Sequence, residues 1–349
     1  MKRYTVAIVG LGNRGRTHLK GFLDNSDRFE VAAICDLQEA ILRRASERFG
    51  ISRIYMDAET MLREVRPDVF CFATLPHIRL ELVELAARYG VKALAFEKPM
   101  ATSIEEAARI RDICNAHGIK AVVSHQQKYI TSFQKLKHIV DSGEIGKIDH
   151  IHITTQAWLS QLGTHFIDYA LWAAGQDARA KWVVGHVHGK KLLEDSHPSP
   201  DYILGEALLD NGIRIYAECG YLSPAYMQGE EKFWVDNRLA VYGSHGHVWA
   251  DTDGRWGAFT QSSNGQTIGE VGEPWDVQAD RIQAPYLADL ARWLDHDQDV
   301  HSCNVNTAFH GHEILEAVCL SALEHQAIHL PLDHSYYGDI IARMRAELS

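Results

Sequence analysis

Up to about residue 125, short runs of apolar and β-branched residues alternate with segments whose apolar positions recur at helical spacing. The runs predict strands over 4–9, 29–35, 68–73, 92–96 and 120–124. Between them the spacing predicts helices over 16–23, 38–49, 77–89 and 103–117, with Leu80, Val83, Leu85 and Ala87 as one example of the periodicity. Ser103 and Glu106 form the Ser-x-x-Glu signature of a capping box at a helix start. Strand and helix alternating at this pitch imply βαβ units, hence a parallel sheet covered on both faces.

Beyond about residue 145 the period changes to the alternation of half-buried strands, at 149–155, 181–188, 202–209 and 213–219. The turn Asp210-Asn211-Gly212 joins the last two, so this half reads as a largely antiparallel sheet. Helices are predicted at 163–174, 285–295 and 307–325, while 242–272, rich in Gly, Ser, Asp and Trp, reads only as strand and loop. With 349 residues and about 150 per domain, the expectation is two domains, 1–125 and 126–349.

Charge narrows the partners. With 35 Lys+Arg against 46 Asp+Glu the net charge is -11, which argues against duplex nucleic acid or an anionic membrane, since both need a cationic face. A bound phosphate must then be held by backbone N–H groups. No apolar run reaches the roughly 18 residues of a membrane span, and the apolar stretch after Met1-Lys2-Arg3 stops at once in a glycine loop. It reads as a first strand, and a cytoplasmic protein is expected. Six scattered cysteines without a Cys-x-x-Cys pair read as reduced, mostly buried thiols. The 20 histidines raise a metal hypothesis, with His186/His188 and His310-Gly311-His312-Glu313 as candidates. On a strand the rings of His-x-His share a face, on a helix they do not; no third ligand stands at a telling spacing, so no metal is expected.

Gly10-Leu11-Gly12-Asn13-Arg14-Gly15 follows the first strand and opens a helix. In that place the three glycines serve a tight turn, close approach to a pyrophosphate and helix–sheet packing, and the helix N-terminus offers free N–H donors to the anion. Asp36, 21 residues after Gly15, stands where a carboxylate accepts from an adenosine ribose diol and repels a 2′-phosphate. NAD is therefore favoured over NADP. Thr74 and Pro76 end the strand before Lys98 at the same sheet edge, and Pro76 would bound a nicotinamide pocket.

Phe96-Glu97-Lys98-Pro99 closes the strand at 92–96, at the edge where parallel sheets bind ligands, and a partly desolvated Lys there can exchange a proton with a hydroxyl. In Gln161-Leu162-Gly163-Thr164-His165-Phe166-Ile167-Asp168, a helix would set Gln161, His165 and Asp168 on one face. A His aligned by a carboxylate is a general acid/base near neutral pH.

The glycine loop, Pro67-Asp68, Glu97-Lys98-Pro99, Gly143-Glu144-Ile145-Gly146, the segment 163–168, Ser321-Ala322 and Leu330-Pro331, in this order over nearly the whole chain, resemble the glucose-fructose oxidoreductase / inositol dehydrogenase family. The resemblance implies an α/β fold: a Rossmann NAD-binding domain, then an α+β domain whose open, mostly antiparallel sheet forms homo-dimer or homo-tetramer contacts. It implies catalytic roles for Lys98 and His165. The expected cofactor contacts are Gly10, Gly12, Asn13, Arg14, Gly15, Asp36, Thr74, Pro76, Glu97 and Lys98, and the expected substrate contacts are Lys98, Gln161, His165, Trp158 and Tyr129. Tyr202, Tyr221, Trp234, Asp236, Asn237 and Arg238 are further candidates for a sugar pocket. The family usually has an Asp where this chain has Gln161, which cannot accept a proton but can hydrogen-bond a hydroxyl. The expected activity is NAD-dependent oxidation of a polyol, inositol or sugar. Gln161 keeps open an NAD-dependent glycoside hydrolase working by transient oxidation, elimination, hydration and reduction. An NAD-binding sensor without turnover is the third reading.

Overall fold

The computed structural model describes residues 2–195, 198–227 and 233–348. Among them the chain forms two sheets and divides into two compact units, residues 1–126 with 279–309, and 127–278 with 310–349.

In the first unit β1 (Tyr4–Val9), β2 (Phe29–Cys35), β3 (Ile54–Tyr55), β4 (Val69–Phe72), β5 (Ala93–Phe96) and β6 (Lys120–Val123) lie in the order 3-2-1-4-5-6 and pair in parallel. This is the doubly wound order, with helices α1 (Asn13–Asp24), α2 (Glu39–Phe49), α3 (Ala58–Val65), α4 (Arg79–Arg88) and α5 (Ile104–Ala116) as crossovers. Strands covered on both faces must be apolar throughout, and Val69–Phe72 and Ala93–Phe96 are buried at every position. Phe72 stacks on Phe96 at 5.0 Å, each buried ring contributing about 2 kcal/mol by removal from water. Ser103 caps α5 by accepting from the Glu106 amide at 3.2 Å, but Glu106 reaches back to the Thr102 amide, so only half of the predicted capping box forms.

Two features lie outside the predicted pattern. The short β3 and α3 carry too few residues for a period, although Asp57 caps α3 by accepting from the Thr60 amide. More consequential, residues 279–309, assigned by sequence to the second domain, belong to the first unit. Gly21 of α1 is the reason: a Cβ there would lie 2.6 Å from Gln283 Cγ and 3.0 Å from Leu287 Cδ1. Its absence lets the helix Gln283–Asp295 bury Tyr286, Leu287 and Leu290 beside α1.

In the second unit a nine-stranded sheet has the order 14-13-12-11-7-10-9-8-15. Its strands are β7 (Ile148–Thr155), β8 (Ala180–His188), β9 (Tyr202–Leu209), β10 (Arg214–Gly220), β11 (Asn237–Gly243), β12 (Gly246–Ala250), β13 (Arg255–Phe259), β14 (Ile268–Val271) and β15 (Ile328–His329). β7 and β10 pair in parallel and the other described pairs are antiparallel. The predicted β9–β10 hairpin turns at Gly212, and Asn211 accepts from the Ile213 amide at 3.1 Å. The segment 242–272 contains β12, β13 and β14 joined by loops, strands too short and glycine-rich to read from alternation.

One sheet face buries Ile151, Ile153, Ile215 and Leu239 beneath helix α7 (Thr164–Ala174). Over β8 and β9 the helix Val305–Glu324 comes so close that a Cβ at Gly185 would lie 2.4 Å from the Val318 carbonyl oxygen. The opposite face carries half-buried Trp182, Tyr216, Tyr242, His247 and Phe259, with His150 stacked on Tyr242 at 4.5 Å. The helix α6 (Thr131–Asp141) was not predicted, because its N-cap is Ile130 and no side chain marks the start.

Candidate active site

The glycine loop occupies the carboxyl end of β1. Gly10 has φ +80° and a Cβ there would lie 2.6 Å from the Ala73 carbonyl oxygen, while a Cβ at Gly15 would overlap the Gly10 carbonyl oxygen. Gly12 differs: a Cβ would meet nothing within 4 Å, and α1 begins there with no side chain capping it. The first turn of α1 thus faces open space with N–H groups that the helix itself cannot pair. Asp36 follows β2; its Oδ2 accepts from the Leu11 amide at 2.7 Å and its Oδ1 from the Gln38 amide at 2.9 Å. The carboxylate therefore braces the loop, and each oxygen keeps lone-pair capacity for a second donor.

Glu97 and Lys98 follow β5, and the Lys98–Pro99 peptide is cis. The Glu97 carboxylate is buried and accepts from Arg14 Nε at 3.0 Å, with His18 Nε2 also 3.0 Å away. His18 is fully buried, and its Nδ1 meets Gln283 Nε2 at 2.9 Å. Burial pushes the Glu97 carboxyl up, but Arg14 and the His18 hydrogen bond outweigh it and hold the group well below the usual carboxylate range. Glu97 is among the expected cofactor contacts, and its carboxylate ties α1 to the end of β5. Burial lowers the Lys98 ammonium to about 8, Glu97 opposing this and Arg14 and Arg79 adding to it. Arg79, 2% exposed, donates to the carbonyls of Thr74 at 2.7 Å and Lys98 at 3.3 Å. It links the two segments at this edge, and a sequence reading that looked for acids, bases and glycines had no reason to select it. Pro76 opens a single turn two residues after Thr74, whose Oγ1 is buried without a hydrogen-bond partner among the described residues.

In the second unit His165 is 3% exposed on α7, and its Nδ1 lies 2.9 Å from the Tyr169 hydroxyl. Gln161 sits in a π-helical turn, Leu159–Gly163, outside the α-helix that carries His165 and Asp168, so the single α-helical face expected for all three does not include Gln161. Asp168 pairs with Lys128 at 2.5 Å, both side chains almost completely buried. The carboxylate near His165 in sequence is thus committed to a buried cation. Trp158 stacks on Phe233 at 5.7 Å, and its Nε1 is buried with no acceptor among the described residues. Tyr129, half-buried, ends the turn Gln126–Tyr129.

The model of an oxidoreductase family with an NAD-binding Rossmann fold matches residues 4–125. A D-apiose dehydrogenase from Rhizobium rhizogenes is 32% identical over 290 residues, covering 76% of this chain and 79% of that protein. This chain belongs to the glucose-fructose oxidoreductase / inositol dehydrogenase family. A D-apiose dehydrogenase from Paraburkholderia graminis is 26% identical over 95% of this chain and 90% of its own. A levoglucosan dehydrogenase solved with NADH and L-sorbose shares the fold, with TM-score 0.79 and 16% identity over 95% of this chain and all of that one.

The family is one of NAD-binding oxidoreductases, and the first unit fits the cofactor. The open approach at Gly12, the uncapped start of α1 and the Thr74 hydroxyl suit a pyrophosphate dinucleotide. His310 accepts from the Ala180 amide at 2.9 Å and faces Glu313, which accepts from the Leu332 amide. Three sugar-pocket candidates also act within the fold: Asp236 accepts from the Tyr226 amide, Asn237 holds the Trp234 carbonyl and the Thr252 amide, and Arg238 lies between the rings of Tyr226 and Trp249. All six cysteines are buried and unbridged, and no helix among the described residues is long and apolar enough to cross a membrane.

Proposed function

We propose that the protein moves a hydride between a hydroxyl-bearing carbon of a polyol, inositol or sugar derivative and the nicotinamide of NAD. The observation that carries this reading is Lys98: an amine whose pKa burial lowers to about 8, at the carboxyl edge of a Rossmann sheet beside the dinucleotide loop. The names of the relatives, acting on D-apiose and levoglucosan, support a polyhydroxylated substrate. When bound, NAD supplies the hydride acceptor. Lys98 takes the hydroxyl proton, His165 is the second acid/base group, and Gln161, Trp158 and Tyr129 offer hydrogen bonds or ring surface to a sugar. Gly10, Gly12, Asn13, Arg14, Gly15, Thr74, Pro76, Glu97 and Lys98 bound the cofactor, and Asp36 takes the ribose.

The test is incubation with a panel of polyols, aldoses and glycosides. Stoichiometric NADH is expected. Aglycone release with catalytic NAD and no net NADH would replace this reading by a glycoside hydrolase, and NAD binding with no product from the panel by a sensor. Asp36→Ala is expected to weaken NAD binding by about 10-fold or more, the effect of losing charge-assisted hydrogen bonds; unchanged affinity in a fluorescence titration would remove Asp36 from the ribose role.

The half-buried aromatic face of the nine-stranded sheet supports a homo-dimer or homo-tetramer, and a monomeric mass by light scattering would refute it. The buried, unbridged thiols fit a reducing compartment, and the cytoplasm is the proposed location, refuted if fractionation finds the protein outside it.

A further inference from the structure

Resting on the reading of His165 as a proton-transfer group, we infer that Tyr169 is its positioning residue, and that with Gln127 it holds the ring in the tautomer protonated on Nδ1, leaving Nε2 to accept a proton. The inference follows from a departure at Gln161. A carboxylate at that position would orient the ring and select its tautomer, but an amide in a π-helical turn stands there instead. One α-helical turn beyond the histidine, at i+4, the Tyr169 hydroxyl lies 2.9 Å from His165 Nδ1 and 3.3 Å from Gln127 Oε1.

A phenol has one proton, and an amide oxygen can only accept. The hydroxyl proton therefore points to Gln127 Oε1, and the phenol oxygen faces His165 Nδ1 as an acceptor. That contact is favourable when Nδ1 carries the hydrogen, which puts the lone pair of the neutral ring on Nε2. Tyr169 is fully buried, His165 3% and Gln127 7% exposed, so bulk water does not compete for these contacts. Phe133 and Phe166 pack on the Tyr169 ring, each at 5.3 Å between centroids, and hold the hydroxyl in place. Because the partner is neutral, it selects the tautomer without supplying the negative charge that a carboxylate would place beside the imidazolium.

The test is nitrogen NMR of protein labelled at histidine, with the His165 signals assigned by difference from His165→Asn, at a pH where the ring is neutral. The wild type is expected to show Nδ1 protonated. Gln127→Leu keeps the phenol and its packing but releases the hydroxyl proton to turn toward Nδ1, and is expected to move the ring proton to Nε2. Gln127→Glu retains an acceptor and should keep the wild-type tautomer. Tyr169→Phe is expected to lose the Nδ1 preference and to lower kcat about 10-fold, the scale of one buried hydrogen bond, with KM little changed. A wild-type ring protonated on Nε2, or a Gln127→Leu spectrum identical to wild type, overturns the inference. Full turnover in His165→Asn refutes instead the catalytic reading on which it rests, and leaves the tautomer result standing.

Discussion

Lys98→Ala is expected to lower kcat/KM for substrate oxidation by about 10²- to 10⁴-fold, the contribution of one positioned acid/base group. NAD affinity should change far less, since the glycine loop and its Asp36 brace do not depend on the amine. The pH profile carries the sharper test. Burial lowers the Lys98 ammonium to about 8, and only the neutral amine can take a hydroxyl proton. Oxidation should therefore rise with pH and level off above about 8, while the reverse reduction, which needs the ammonium as donor, should fall over the same range. Initial rates in both directions measure this. An oxidation profile flat through that range, or a limb that survives in Lys98→Ala, would exclude Lys98 as the base.

Asp168→Ala is expected to destabilise the protein by about 3–5 kcal/mol, because it strands a buried cation. Lys128 Nζ lies 2.5 Å from Asp168 Oδ2, and the two side chains are 1% and 0% exposed. An ammonium left there loses the buried carboxylate that compensates its lost hydration. Exchanging both partners for apolar residues, Lys128→Met with Asp168→Leu, should recover much of the loss, because desolvation of the pair disappears along with its attraction. Urea unfolding followed by tryptophan fluorescence reads both variants. A loss below about 1 kcal/mol in the single variant, the scale of an exposed pair, would show that Lys128 finds another way to be solvated.

The two predictions separate kinds of legibility. Lys98 could be read from the chain because its setting is local: a β-strand, a charged dipeptide and a proline at a sheet edge. Asp168 was visible as a residue, but its partner was not, since Lys128 lies 40 residues earlier and no periodicity links the two. The same holds for Glu97, whose neighbour in sequence is Lys98 but whose carboxylate is held by Arg14 and His18 from α1. Gln283 completes that network from a segment that sequence order assigned to the other domain.

By itself the sequence determined the alternation of strand and helix in the first 125 residues, the glycine loop and the order of the family's motifs. Each of these depends on backbone geometry and burial within a few neighbouring residues, so local spacing is enough to reveal it. The tertiary structure alone decided that residues 279–309 pack with the first unit, that the turn before α7 is π-helical, and that His165 meets Tyr169, which in turn meets Gln127, 42 residues away along the chain. These are choices of partner for buried polar groups. In a low-dielectric interior each such group must be satisfied by whichever donor, acceptor or charge the fold brings within 3 Å or so, and the linear order of residues does not contain that information.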